Sequence, residues 1–101
     1  MGLKVMVQTL SARSQSFAFQ CEDGTQQQTA CSIAAETLRD ITDFHQFKGS
    51  PEEGFRALLP EIERLVNAKL NAGRREENGE ISIRMGDLLR YGFAQREKAA
   101  A

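Results

Sequence analysis

Between Gln15 and Ile33 the side chains alternate, and no other stretch narrows the fold as much. Phe17, Phe19 and Cys21 share one parity, while Ser16, Ala18 and Gln20 share the other. A period of two with phenylalanine on one face describes a half-buried strand, because successive side chains point to opposite faces. Asp23-Gly24 follows, and both residues tolerate positive φ, so the chain is expected to turn there. Thr25 to Ile33 then reads as a second strand, with Thr29, Cys31 and Ile33 on one face and Gln26 to Gln28 as a solvated run. The pair forms a β-hairpin whose apolar face needs a cover.

The following residues supply one. Ala34 to about Asp43 has helical spacing, with Ala34 four before Leu38 and Leu38 three before Ile41. This helix is expected to pack on the hairpin, and Phe44-His45-Gln46-Phe47 leads from it into a loop at Lys48-Gly49. Ser50-Pro51-Glu52-Glu53 is the sharpest local signal in the chain. Ser50 can accept the amide of residue 53 and Glu53 can reach back to the amide of Ser50, while Pro51 occupies the first helical position, where no donor is needed. The apolar stripe Phe55, Leu58, Leu59, Ile62, Leu65, Val66 and Leu70 runs on from this cap at steps of three and four. Pro60 interrupts it, predicting a kink or two abutting helices. Gly73 is placed to end the run in the left-handed conformation.

Two weaker strands and a last helix complete the reading. Leu3 to Leu10 alternates, with Leu3, Val5 and Val7 against Lys4, Met6 and Gln8, and Ser11 to Ser16 is turn-like. Asn78-Gly79 suits a type I′ turn, and Glu80 to Met85 alternates after it, so a second hairpin is expected there. Asp87 is read as the cap of a helix from Leu88 to about Lys98. The fold class is therefore α+β: a small antiparallel sheet of β-hairpins against two or three helices. With 101 residues there is room for one domain, 1–101, with an ordered core over about 3–95 and a C-terminal tail that frays.

The order of these features resembles a known family. Phe17-x-Phe19 and then Cys31-Ser32-Ile33, entering a helix with Glu36 and Leu38, form one half of the likeness. Phe55 leading to Ile62-Glu63, then Lys69, Gly79, Ile81-x-Ile83 and Asp87-Leu88 form the other. Over Gln15 to Leu88 the chain resembles the short single-domain bacterial proteins grouped as domain of unknown function fourteen-eighty-eight. The resemblance implies a small α+β fold with a few strands in one layer and helices against it. It implies no activity and carries over no catalytic residue. The chain departs from the pattern at Ala34, where a capping Ser or Thr would be natural, and in extra residues at both ends.

The side chains that could carry chemistry are few. His45 is the single histidine, between Phe44 and Phe47, without local partners for a triad or a metal site. Cys21 and Cys31 fall on the inward faces of adjacent strands. They read first as small buried hydrophobes, then as a reactive thiol, with Cys31 just before a helix, or as a disulfide if the register lets them meet. The carboxylate pairs Glu22-Asp23, Asp40-Asp43, Glu52-Glu53 and Glu76-Glu77 each sit at a turn, a solvated face, a cap or a hairpin rim. Neither GxGxxG nor GxxxxGK[ST] occurs, so no nucleotide cofactor is indicated, and no metal is either. No apolar run approaches a membrane span and no secretory leader is read at the N-terminus, so a cytoplasmic location with reduced thiols is expected.

Charge narrows the partners. Formal net charge is −1, with one Tyr and no Trp, which speaks against a polybasic or base-stacking design for the whole chain. Arg74, Arg75, Arg84, Arg90, Arg96 and Lys98 are a local concentration of cations, tempered by Glu76, Glu77, Glu80 and Glu97. Leu88, Leu89, Tyr91 and Phe93 give the last helix apolar surface that caps the core or meets a partner. The expected function is a non-catalytic protein-binding or regulatory module, acting on a protein partner or by self-association as a homodimer, through Arg84, Arg90, Tyr91 and Phe93. The alternatives are nucleic-acid binding through the C-terminal cations and a thiol-dependent activity at Cys31 or Cys21.

Overall fold

In the computed structural model, which describes residues 2–25 and 27–91, four strands and four helices alternate in blocks. Strands β1 (Lys4–Ala12), β2 (Ser16–Glu22) and β3 (Gln28–Ala34) come first. Helices α1 (Ala35–Phe44), α2 (Pro51–Ala57) and α3 (Leu59–Asn71) follow, then strand β4 (Ile81–Ile83) and helix α4 (Met85–Tyr91). The sheet order is β1-β2-β3-β4. The α+β class thus holds, with the hairpin at its centre and helices on its apolar face.

The β2–β3 register pairs Phe17 with Ile33, Phe19 with Cys31 and Cys21 with Thr29. That puts both inward sets on one face, as the alternation requires. The turn is longer than Asp23-Gly24 alone, because Glu22 pairs with Gln28 and five residues lie between them. Gly24 takes φ +90°, and Asp23 accepts the N–H and hydroxyl of Thr25. Those two bonds, the hydroxyl's first, hold the Asp23 carboxyl below the ordinary carboxylate range.

The sheet is mixed rather than wholly antiparallel. The second hairpin does not form; Asn78-Gly79 leads instead into β4, which runs parallel to β3 and pairs Cys31 with Ile81 and Ile33 with Ile83. α1 to α3 form the long crossover that a parallel pair needs. The last helix starts at Met85, not Leu88. Asp87 lies inside it, where its carboxylate accepts the Arg84 N–H at 2.8 Å. The expected run toward Lys98 and the frayed tail lie outside the described residues beyond Tyr91.

Local signals in the helices are realised closely. Ser50 and Glu53 make both bonds of the capping box, at 3.1 and 2.9 Å. Pro60 divides α2 from α3 and occupies the first turn of α3, where a missing N–H is harmless. Gly73, at φ +71°, closes α3: its N–H donates to Leu70 O and that of Arg74 to Lys69 O. The core lies between the sheet and the helices. Phe19, Cys21, Ile33, Leu38, Ile41, Phe55, Ile62, Leu65, Val66, Ile81 and Ile83 are almost wholly enclosed.

α3 also serves the sheet edges. Asn67 accepts the Leu3 N–H at 2.7 Å and donates to the Leu3 carbonyl at 3.0 Å, while Glu63 accepts the Val5 N–H at 2.9 Å. Lys69 donates to the Ser82 carbonyl of β4 at 2.6 Å. One helix therefore satisfies backbone groups on both edge strands, which blunts their tendency to recruit another chain. Farther along β1 the register slips between Met6 and Ser11, and the Thr9 hydroxyl bridges the break from Gln20 N–H to Met6 O.

Candidate functional site

α4 carries the residues that the sequence singles out, and the structure treats them unequally. Arg84 precedes the helix, exposed, and pairs with Glu76 at 3.3 Å. Arg90 is exposed near the helix end. Tyr91 is half-buried against the core, its hydroxyl enclosed and without a hydrogen-bond partner among the described residues. Phe93 lies outside the described residues, as do Arg96 and Lys98. Of the other cations in the expected patch, Arg75 is turned to the Gly79 carbonyl at 3.1 Å. The patch is thus partly consumed by contacts within its own loop.

The apolar residues of α4 split by face. Leu88 is buried at 5% exposure and joins the core. Leu89 is 84% exposed and Met85 41%, the two large hydrophobic side chains most open to solvent among the described residues. They border a shallow cleft of about 420 Å³ between α4 and the end of α1, whose other walls are Asp40, Asp43, Phe44 and Leu88. The sequence placed Leu88 and Leu89 together; helical geometry separates adjacent residues by about 100°, so one turns in and the other out.

Beneath α4 lies a buried ion pair that sequence reasoning missed. Lys69 Nζ is 3.1 Å from Asp87 Oδ2, both side chains about nine-tenths enclosed. The signal was present, because Lys69 continues the helical spacing of Ile62, Leu65 and Val66 onto the apolar face. Each polar group is also occupied by backbone, Lys69 by Ser82 O and Asp87 by Arg84 N–H. Those backbone bonds describe a tie between α3, β4 and α4 rather than a reactive centre.

The two cysteines meet through a hydrogen bond and form no disulfide. Their sulfurs are 3.5 Å apart, both thiols are free and both residues are buried. A disulfide needs about 2.05 Å. The hydrogen bond with the Cys31 thiol, then burial, and last the negative charge of Glu63 push the Cys21 thiol above its ordinary 9.0. Cys31 faces the core from β3 and not the start of α1. We expect neither thiol to react with a disulfide reagent in the folded protein at neutral pH, and both to react once denatured. One fast thiol would contradict this. The sign of the pH effect follows. Above about pH 9 the unfolded Cys21 ionises and the folded one does not, so stability falls as pH rises there. Cys21→Ala should flatten that limb of a pH–stability curve.

Of the remaining groups, His45 Nε2 and the Thr37 hydroxyl are enclosed without a hydrogen-bond partner among the described residues. His45 stacks edge-on against Phe44, with ring centroids 5.0 Å apart. Glu53 is used in the cap, Glu76 on Arg84 and Asp23 on Thr25. Among the described residues no group of three or more His, Cys, Asp or Glu is gathered as a metal ion would need, and no helix is long and apolar enough to cross a membrane.

The same fold occurs in a solved structure. A protein of unknown function of the DUF1488 family, from Shewanella loihica PV-4, superposes with a TM-score of 0.62. The match covers 81% of this chain and 91% of the other, at 12% sequence identity. At that identity the likeness establishes the fold, and it fits the family that the sequence resembles. No protein-family profile matches the chain, and no curated protein does.

Proposed function

We propose that the chain is a non-catalytic protein-binding module, and that its contact surface is the exposed face of α4 with the adjoining end of α1. The observation that carries this reading is Leu89. A leucine 84% exposed, beside a half-open Met85 and an apolar cleft, loses free energy in water that a partner would recover. The cleft carries Asp40 and Asp43 on its α1 side, and the exposed Arg90 follows Leu89 on α4. A second copy of the chain suits such a surface, because in a two-fold contact each surface meets its own likeness and acids can face arginine. Arg84 and Phe93 flank this face in sequence and extend the proposal. Two buried thiols that form no disulfide are compatible with a cytoplasmic setting. Nucleic-acid binding is less well supported, since Arg84 is neutralised by Glu76 and the cleft beside it is lined by Glu76, Glu77 and Glu80.

Light scattering after size exclusion, over a range of protein concentrations, tests the reading. A concentration-dependent dimer is expected, dispersed by Leu89→Asp, whose melting temperature should match the parent's at concentrations where the parent is monomeric. A monomer at every concentration, identical in the variant, would remove the second copy as partner.

A further inference from the structure

A different cleft, of about 370 Å³, opens between α1, the loop after it and the start of α2. Phe17 and Leu38, both buried in the core, form its floor, and the half-buried Phe47 forms a wall. Arg39, Asp43 and Lys48 line its exposed rim. Among the described residues none of these three side chains enters an ion pair. The hydroxyls nearby are already committed, that of Ser50 to the α2 cap and that of Thr42 to the Arg39 carbonyl. The uncommitted polar groups around this apolar floor are two cations and one carboxylate.

The walls are fixed in place. α1 ends with Gln46 at φ +57°, its N–H donating to Asp43 O and that of Phe47 to Thr42 O. This double closure ordinarily carries glycine at the left-handed position, where a Cβ is unwelcome. The Phe47 ring is held between two glycines. A Cβ on Gly49 (φ +149°) would lie 3.0 Å from it, and one on Gly54 3.4 Å. A wall set before a ligand arrives lowers the ordering cost of binding. The volume is within the range of small-molecule sites, which pair an apolar lining with a few placed polar groups.

We propose that this cleft binds a small organic monoanion with an apolar, ring-sized body. The body rests on Phe17, Leu38 and Phe47, and the negative group lies between Arg39 and Lys48. Asp43 offsets one of the two cations, so the three lining charged side chains sum to a single positive charge, and the Glu53 carboxylate beside Gly49 is turned to the Ser50 N–H.

Titration of isotope-labelled protein with naphthylacetate and with its neutral amide tests this by proton–nitrogen correlation spectra. Saturable shifts at Ala35, Phe47 and Gly49 are expected, with the acid bound about tenfold more tightly than the amide. Arg39→Glu and Lys48→Glu should each bring the acid close to the amide's affinity, and Asp43→Asn should tighten it about threefold. Thermal melts of these variants should match the parent, since all three side chains are exposed. No saturable shifts, equal affinity for acid and amide, or indifference to the two charge reversals would overturn the proposal. Asp43 also borders the α4 cleft, so the two readings are separated by Leu89→Asp, which should disperse the dimer and leave this binding unchanged.

Discussion

Asp87→Ala is expected to destabilise the protein by about 3–5 kcal/mol, the cost of leaving one member of a buried ion pair alone. For a domain of this size that lowers the melting temperature by on the order of 20 °C. Two losses add. Lys69 would be left buried with only the Ser82 carbonyl as hydrogen-bond partner, and the Arg84 N–H would lose its acceptor at the start of α4. Asp87→Asn should cost less, because an amide oxygen can still accept from Arg84 N–H and from Lys69. Replacing the pair together, as Lys69→Met with Asp87→Leu, should cost less than Asp87→Ala, since no unpaired charge remains. Urea denaturation of the four proteins measures this directly. Near-equal stability of Asp87→Ala and the parent would mean that the pair contributes nothing.

That pair marks the boundary of what the sequence makes legible. The capping box at Ser50, the break at Pro60 and the stop at Gly73 are contacts within a few residues, so composition and spacing define them. The faces of β2 and β3 follow from the pleat, and a one-residue slip would turn Phe17, Phe19 and Cys21 to solvent. The parallel partner of β3 is not local. Ile81-Ser82-Ile83 reads equally well in a hairpin or beside β3, and the choice rests on what α3 can bury. The ties from Asn67 and Glu63 to β1 are likewise invisible, because polar residues on a helix read as solvated until a strand edge lies beside them. Gln46 misleads for the opposite reason: glycine is the expected residue at φ +57°, and Gly49 stands only three positions on. Of the candidate contact residues, Arg90 was legible as an exposed cation. The exposure of Leu89 depends on which turn of α4 meets the core.

Phe55→Ala should be nearly as damaging, at about 3–5 kcal/mol. Phe55 is wholly enclosed on α2, and its ring meets Phe19 of β2 edge-on, with centroids 5.0 Å apart at 65°. α2 has only seven residues, too few to be stable alone, so tertiary contact must hold it. The capping box contributes about 1 kcal/mol to that, and the Phe55 side chain contributes the larger share. Phe55→Leu keeps much of the volume and loses the edge-to-face contact, so a cost near 1–1.5 kcal/mol is expected. Leu89→Ala, by contrast, should stay within about 0.5 kcal/mol at concentrations where the parent is monomeric, because its side chain is then in water. The seat of Phe55 also has a consequence at the surface. Its neighbour Gly54 approaches α1 so closely that a Cβ there would lie 2.6 Å from the Thr42 methyl and 3.4 Å from the Phe47 ring. Loosening α2 therefore loosens the wall of the Arg39–Lys48 cleft. Phe55→Ala should weaken naphthylacetate binding under conditions where the variant remains folded, whereas Leu89→Ala should not. Equal binding by both variants would mean that the cleft keeps its shape without the helix that frames it.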